Sequence, residues 1–139
     1  MKNTFILCLS FLLFGCEENL TEKSVNLYPN GNVELKQFLN EKGEVKKEIH
    51  FFENGKIQIE GGYDKLGKRH GTWTAYYEDG AVWSYGEYES GVQEGENKVY
   101  YPNGRVRYGG KWKNDKQVGD WVFYDESGAI IKSEYHPEN

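Results

Sequence analysis

The chain has 139 residues, room for one ordinary domain, with 17 glycines against three prolines and an aromatic fraction of 16%. Seventeen bases against 22 acids leave a net charge of −5, which argues against nucleic-acid binding, a function that leans on Lys and Arg neutralising phosphates. After residue 15 only five Leu, three Ala and no Met remain. That scarcity excludes a helical bundle, whereas aromatic and β-branched residues punctuated by Gly favour strands and tight turns.

Residues 1–15 have the layout of an export signal: a basic start at Lys2, a ten-residue apolar run from Phe5 to Phe14, and Gly15. The run is about half of the roughly 20 residues needed to span a bilayer. Leu13-Phe14-Gly15-Cys16 resembles the lipobox of bacterial lipoproteins, with Phe14 in place of the usual small or β-branched residue. The resemblance implies cleavage before Cys16 and acylation of that cysteine, with chains such as palmitate, which would anchor the protein to the cell envelope. Cys8 would leave with the signal, so the mature domain would hold no thiol and no disulfide. Loss of Lys2 takes the charge to −6 (16 bases against 22 acids). Glu17-Glu18 resembles the acidic signal that sends lipoproteins to the surface in some Gram-negative groups. Residues 16–26 are polar and aperiodic and are expected to tether the lipid to a folded region spanning 27–139.

That region is a repeat. A turn signature recurs five times: YPNGNV (28–33), FENGKI (52–57), YEDGAV (77–82), YPNGRV (101–106) and DESGAI (125–130). Its glycines, Gly31, Gly55, Gly80, Gly104 and Gly128, are spaced by 24, 25, 24 and 24 residues. Gly71, Gly95 and Gly119 recur half a period away, and a Gly-x-aromatic element follows at Gly61-Gly62-Tyr63, Gly86-Glu87-Tyr88 and Gly110-Lys111-Trp112. Asn-Gly and Asp-Gly between apolar runs signal hairpins, because both residues tolerate positive φ. Two strands and two turns account for one period. Tyr76, Tyr100 and Tyr124, with Phe51 before them, are expected to form an aromatic column, and Ile57, Val82, Val106 and Ile130 a β-branched one. The recurrent glycines leave bare backbone for a neighbouring ring. The expected fold is all-β: an elongated antiparallel meander of about five stacked hairpins.

The first repeat is degenerate. Asn40-Glu41-Lys42-Gly43 reads as an extra turn, and Glu48 stands where Trp73 and Trp121 stand later, as fits a polar end of an array. The last strand, Ile130 to Tyr135, would be the other edge, with Lys132 and Glu134 discouraging further pairing.

The segments GTWTAYYEDGAV (71–82), GENKVYYPNGRV (95–106) and GDWVFYDESGAI (119–130) resemble the bacterial variant of the MORN repeat. Asn97 replaces the pattern's Trp and Asp125 its second aromatic. The resemblance covers about residues 27–135 and implies a meander of antiparallel hairpins. Many bacterial members carry an antitoxin label, which sits poorly with an exported lipoprotein that would not meet a cytoplasmic toxin.

Nothing marks catalysis. His50, His70 and His136 have no metal-like spacing, and no P-loop, nucleophile elbow or Ser/His/Asp arrangement is present. No catalytic residue, metal site or cofactor is expected. Lys65-Leu66-Gly67-Lys68-Arg69-His70 and Lys111 to Lys116 are basic loops on one edge, but Glu89 to Glu94 between them is acidic and breaks the stripe. The surplus aromatics are the remaining hint, and Trp73, Tyr76, Tyr100, Trp121 and Tyr124 form a candidate binding face. The reading is a non-catalytic, lipid-anchored envelope protein that engages an unidentified protein partner. A glycan- or peptidoglycan-binding lipoprotein and an antitoxin- or immunity-type protein are the alternatives.

Overall fold

A computed structural model describes residues 19–138. The signal segment, Cys16 and Glu17-Glu18 lie outside these residues. The described chain forms one open sheet of ten strands in sequence order, each antiparallel to the next. The strands are β1 (Thr21–Leu27), β2 (Val33–Leu39), β3 (Val45–Phe51), β4 (Ile57–Tyr63), β5 (Arg69–Tyr76), β6 (Val82–Glu89), β7 (Val92–Tyr100), β8 (Val106–Lys113), β9 (Lys116–Tyr124) and β10 (Ile130–His136). The all-β hairpin array expected from the spacing is therefore present. With one layer and no second sheet to bury against, most strand residues are only half buried, and the fully enclosed apolar side chains are Trp73, Val99 and Trp121.

The turns explain the period. Along one edge of the sheet, residues 28–32, 52–56, 77–81, 101–105 and 125–129 each form the same five-residue loop. The fourth residue's N–H donates to the first residue's carbonyl, as in Gly31 to Tyr28 at 2.9 Å, and the first residue's N–H donates to the fifth's carbonyl, as in Tyr28 to Asn32 at 2.8 Å. This is a type I turn closed by a residue in the left-handed region. Only glycine takes that region cheaply, and Gly31, Gly55, Gly80, Gly104 and Gly128 have φ between 80° and 93°.

The asparagines have another reason to be there. Asn30, Asn54 and Asn103 are not among the positive-φ residues. Each instead accepts, on its side-chain oxygen, the N–H two residues on, and donates its amide to the next turn of the row: Asn30 to Glu53 O, Asn54 to Glu78 O, Asn103 to Glu126 O. The turn tyrosines reach across in the same direction, with the hydroxyls of Tyr28, Tyr77 and Tyr101 donating to the carbonyls of Phe51, Tyr100 and Tyr124 at 2.7–2.9 Å. The Tyr-x-Asn-Gly motif thus ties each repeat to the next as well as turning the chain.

Three sequence expectations change. Asn40–Glu44 is no extra turn: it is the ordinary turn of the opposite edge, and Asp64–Lys68 repeats it with the same hydrogen bonds. The later turns on that edge shorten to Ser90-Gly91 and Asn114-Asp115, both central residues having positive φ, the two-residue hairpin geometry that matches strand twist. The tether expected over 16–26 is partly strand, because Thr21–Leu27 pairs with β2; backbone pairing and the Glu22–Lys36 ion pair at 2.7 Å hold it despite its polar sequence. The aromatic and β-branched columns, finally, are one row. Residues a full period apart lie two strands apart, so Phe51, Tyr76, Tyr100 and Tyr124 face Ile57, Val82, Val106 and Ile130.

Candidate functional site

Side chains alternate between the two faces of a strand, so Trp73 and Tyr76, three apart in β5, point to opposite faces. The five residues expected to share a binding face are split. Trp73 and Trp121 lie on the first face; Tyr76, Tyr100 and Tyr124 lie on the second.

On the first face one row crosses the whole sheet. Trp73 lies opposite Gly86, Asn97 lies between Gly86 and Gly110, and Trp121 lies opposite Glu134. The Trp73 ring lies flat over Gly61 and the Trp121 ring over Gly110, so tightly that a Cβ at either glycine would overlap the indole. Each indole N–H donates to a carbonyl of the strand before it, Gly62 at 3.0 Å and Lys111 at 3.2 Å. Tyr63 packs edge-on against Trp73 at 5.3 Å and Trp112 against Trp121 at 5.4 Å, and the Arg69 guanidinium sits 4.0 Å above the Trp73 ring. These contacts leave Trp73 4% and Trp121 2% exposed. Both are core, with no surface to offer a partner. Asn97 fills the same role at smaller volume, covering Gly86 and donating its amide to Tyr85 O at 3.1 Å.

In β3 the row turns polar. Glu48 accepts hydrogen bonds from Gln37 Nε2 and the Tyr63 hydroxyl, both at 2.6 Å, and lies 3.5 Å from His50 Nε2. Burial pushes the Glu48 carboxyl up, but the hydrogen bonds from Tyr63, Gln37 and His50 together outweigh it and hold the carboxyl below its usual range. Burial first, then the bond to Glu48, pushes the Tyr63 phenol up to about 12.

The second face carries the half-buried tyrosines Tyr76, Tyr85, Tyr100 and Tyr124, whereas Trp83, 46% exposed, lines a groove with Trp73 and Ala75 on the first face. Thr72, Thr74, Val82, Tyr85, Tyr100 and Gly104 line an open cleft of about 480 Å³. Tyr85 and Tyr100 form its ring pair, with centroids 6.4 Å apart. Beside it, the Tyr76 hydroxyl donates to Glu60 at 2.8 Å, and Lys47 pairs with the same carboxylate at 2.7 Å. The Lys47 hydrogen bond, aided by Tyr76, lowers Glu60 against its burial, and burial with the bond to Glu60 raises Tyr76 to about 12. Tyr85 hydrogen-bonds Glu96 at 3.2 Å. The cleft joins apolar ring faces to hydroxyl and carboxylate groups, a surface suited to binding by contact. Sequence reasoning missed Tyr85 and Val82 as members of this face: Tyr76 pairs with Val82 and Thr74 with Tyr85 across an irregularity of register that strict alternation does not anticipate.

His50, His70 and His136 fall on β3, β5 and β10. Among the described residues no group of three His, Cys, Asp or Glu side chains could hold a metal ion, and no helix is long and apolar enough to cross a membrane. The three basic or acidic loops, 64–68, 89–92 and 113–116, follow one another along a single edge, as the meander requires.

No curated protein matches the chain. A solved GtfA/B complex bound to UDP and GlcNAc resembles it at 17% identity and a TM-score of 0.45, over 80% of this chain and 25% of that one. The chain thus spans about a quarter of that neighbour's length. The family model described as "MORN repeat variant" matches residues 44–65, 69–90 and 93–114, each one hairpin of the sheet with its Gly-x-aromatic element, and the chain is a MORN-repeat protein.

Proposed function

We propose that the protein is a non-catalytic, lipid-anchored component of a bacterial cell envelope whose sheet binds a protein partner through its second face. The lipobox-like Leu13-Phe14-Gly15-Cys16 supports the anchor. The observation that carries the binding face is the Tyr85–Tyr100 cleft, since the other candidate aromatics, Trp73 and Trp121, are consumed by the sheet's own core.

The test uses the full-length chain captured from detergent-solubilised envelopes. Tyr85→Ala combined with Tyr100→Ala should abolish recovery of a defined partner while strand content and melting behaviour are kept. A partner retained by this double variant, or none recovered with the unaltered chain, overturns the reading; retention on polysaccharide instead would move it to a glycan-binding lipoprotein. Cys16→Ala should release the protein from the membrane fraction, and continued retention would refute lipidation as the anchor.

A further inference from the structure

Among the described residues the sheet ends on two strands with one neighbour each, β1 and β10, and they differ. On β10, Ile130, Ile131 and Tyr135 are 66%, 65% and 71% exposed, a large apolar surface for an edge strand. Between them lie Lys132 and Glu134, paired with each other at 2.5 Å. Lys132 also stands over the Phe123 ring at 5.4 Å, so its ammonium is held on the first face.

We propose that β10 is a self-complementary edge through which two copies of this chain pair antiparallel, centred on Ser133. In that register Lys132 of one copy faces Glu134 of the other, and Glu134 faces Lys132. Ile131 faces Tyr135 on both sides of the centre. Opposite charges and an aromatic–β-branched pair directly across are the favourable cross-strand combinations, and here the two-fold axis supplies each of them twice. Shifting the centre to Glu134 would set Lys132 against His136, and shifting it to Lys132 would set Ile131 against Ser133. The charge pattern therefore selects one register.

Lys132 and Glu134 still defend this edge against unrelated strands, as inward charges do, but a second copy answers both of them. The opposite edge has no such symmetry. Centring a pair of β1 strands on Ser24 sets Lys23 against Val25 and Glu22 against Asn26, and Glu22 already binds Lys36 within its own sheet.

Light scattering and sedimentation of the full-length chain in detergent read the outcome. The unaltered chain should be a dimer. Lys132→Glu alone and Glu134→Lys alone should each weaken dimerisation at least tenfold, because like charges then face one another. Mixing the two variants should restore a dimer, now a heterodimer of one chain of each kind. That rescue separates the contact between copies from the pair within a chain, which stays broken in both variants. Ser133→Cys should cross-link two copies through that residue on oxidation, judged against the unaltered chain with its own cysteines, whereas Ser24→Cys should add no cross-link. A monomer at tens of micromolar, or folded charge variants that fail to pair when mixed, overturns the proposal.

Discussion

One position of the repeat is filled by Trp121 in β9 and by Glu48 in β3, and the two solve the same problem in different ways. Both lie on the first face, in the strand next to a residue that must be covered. Trp121 covers the backbone at Gly110 with an apolar ring and uses its single N–H on a carbonyl. Glu48 leaves no ring and is held by hydrogen bonds from Gln37 and Tyr63. Asn97 lies between them in kind as well as in place. A single-layer sheet has little apolar volume to bury, so where the ring is present it makes a local core, and where it is absent a hydrogen-bonded cluster must be complete to avoid an unpaired buried charge. The aromatic solution should be the stronger one.

The largest effect that could break this comparison comes from the rings. Trp121→Ala should cost about 3–5 kcal/mol, the range for emptying a buried tryptophan site, with Trp73→Ala close behind; chemical denaturation of each variant measures it. Losses below about 1 kcal/mol at both sites would show that the sheet hydrogen bonds carry the stability by themselves.

The glycines sharpen the point. Gly110→Ala would force the Trp121 ring off the backbone and should cost about 1–3 kcal/mol, as overpacking does. Gly86→Ala meets the Asn97 amide at 3.1 Å, and a side-chain amide can shift, so its cost should be clearly smaller. Equal melting temperatures for the two variants would contradict the ring-on-glycine account.

At the polar end the comparison is read by pH. The Glu48 carboxyl is held below its ordinary range in the folded chain. Its contribution is therefore fully present above the ordinary glutamate value of about 4.3 and is lost as pH falls through the lowered folded value. Thermal melts from neutral pH down into that acid window should show a loss that is smaller in Glu48→Gln, the share of Glu60 and the other lowered carboxylates remaining. Tyr63 gives the opposite sign. Its phenol is raised to about 12, so the hydrogen bond is intact below the ordinary value of about 10 and is lost as pH rises through about 12. Tyr63→Phe should shrink the alkaline loss, leaving the share of Tyr76, which is raised to about 12 in the same way.

The smallest effect belongs to the turns. Asn103→Ala removes an exposed turn bond and an exposed bond to Glu126 O and should cost roughly 1 kcal/mol or less. A Tyr101→Phe variant, which loses only the hydroxyl donated to Tyr124 O, should fall in the same range.

The repeat spacing was legible because turn chemistry is local. The left-handed position that closes the five-residue turn favours glycine, so Gly31, Gly55, Gly80, Gly104 and Gly128 announced every hairpin on one edge. Gly43 and Gly67 close the same turn on the other edge, but Asn40 and Asp64 lead these turns in place of an aromatic, so the first looked like an extra turn and the second like a basic loop. The strand Thr21–Leu27 was hidden for a related reason: an edge strand of a single layer buries little, and its polar side chains carry no period-2 pattern. The candidate binding face failed on parity. A repeat fixes which residues are equivalent, and Trp73 is equivalent to Trp121, as Tyr76 is to Tyr100 and Tyr124, but equivalence does not say which face either set occupies.

The sequence by itself therefore determined the strand–turn alphabet, the antiparallel order and the family, because each follows from residues close together along the chain. Only the tertiary structure decided which aromatics are spent. Trp73 and Trp121 are buried by glycines about a dozen residues earlier in the chain, and Tyr85 and Tyr100 meet across a pair of strands, and both outcomes depend on how register and pleat place side chains that the linear order keeps apart.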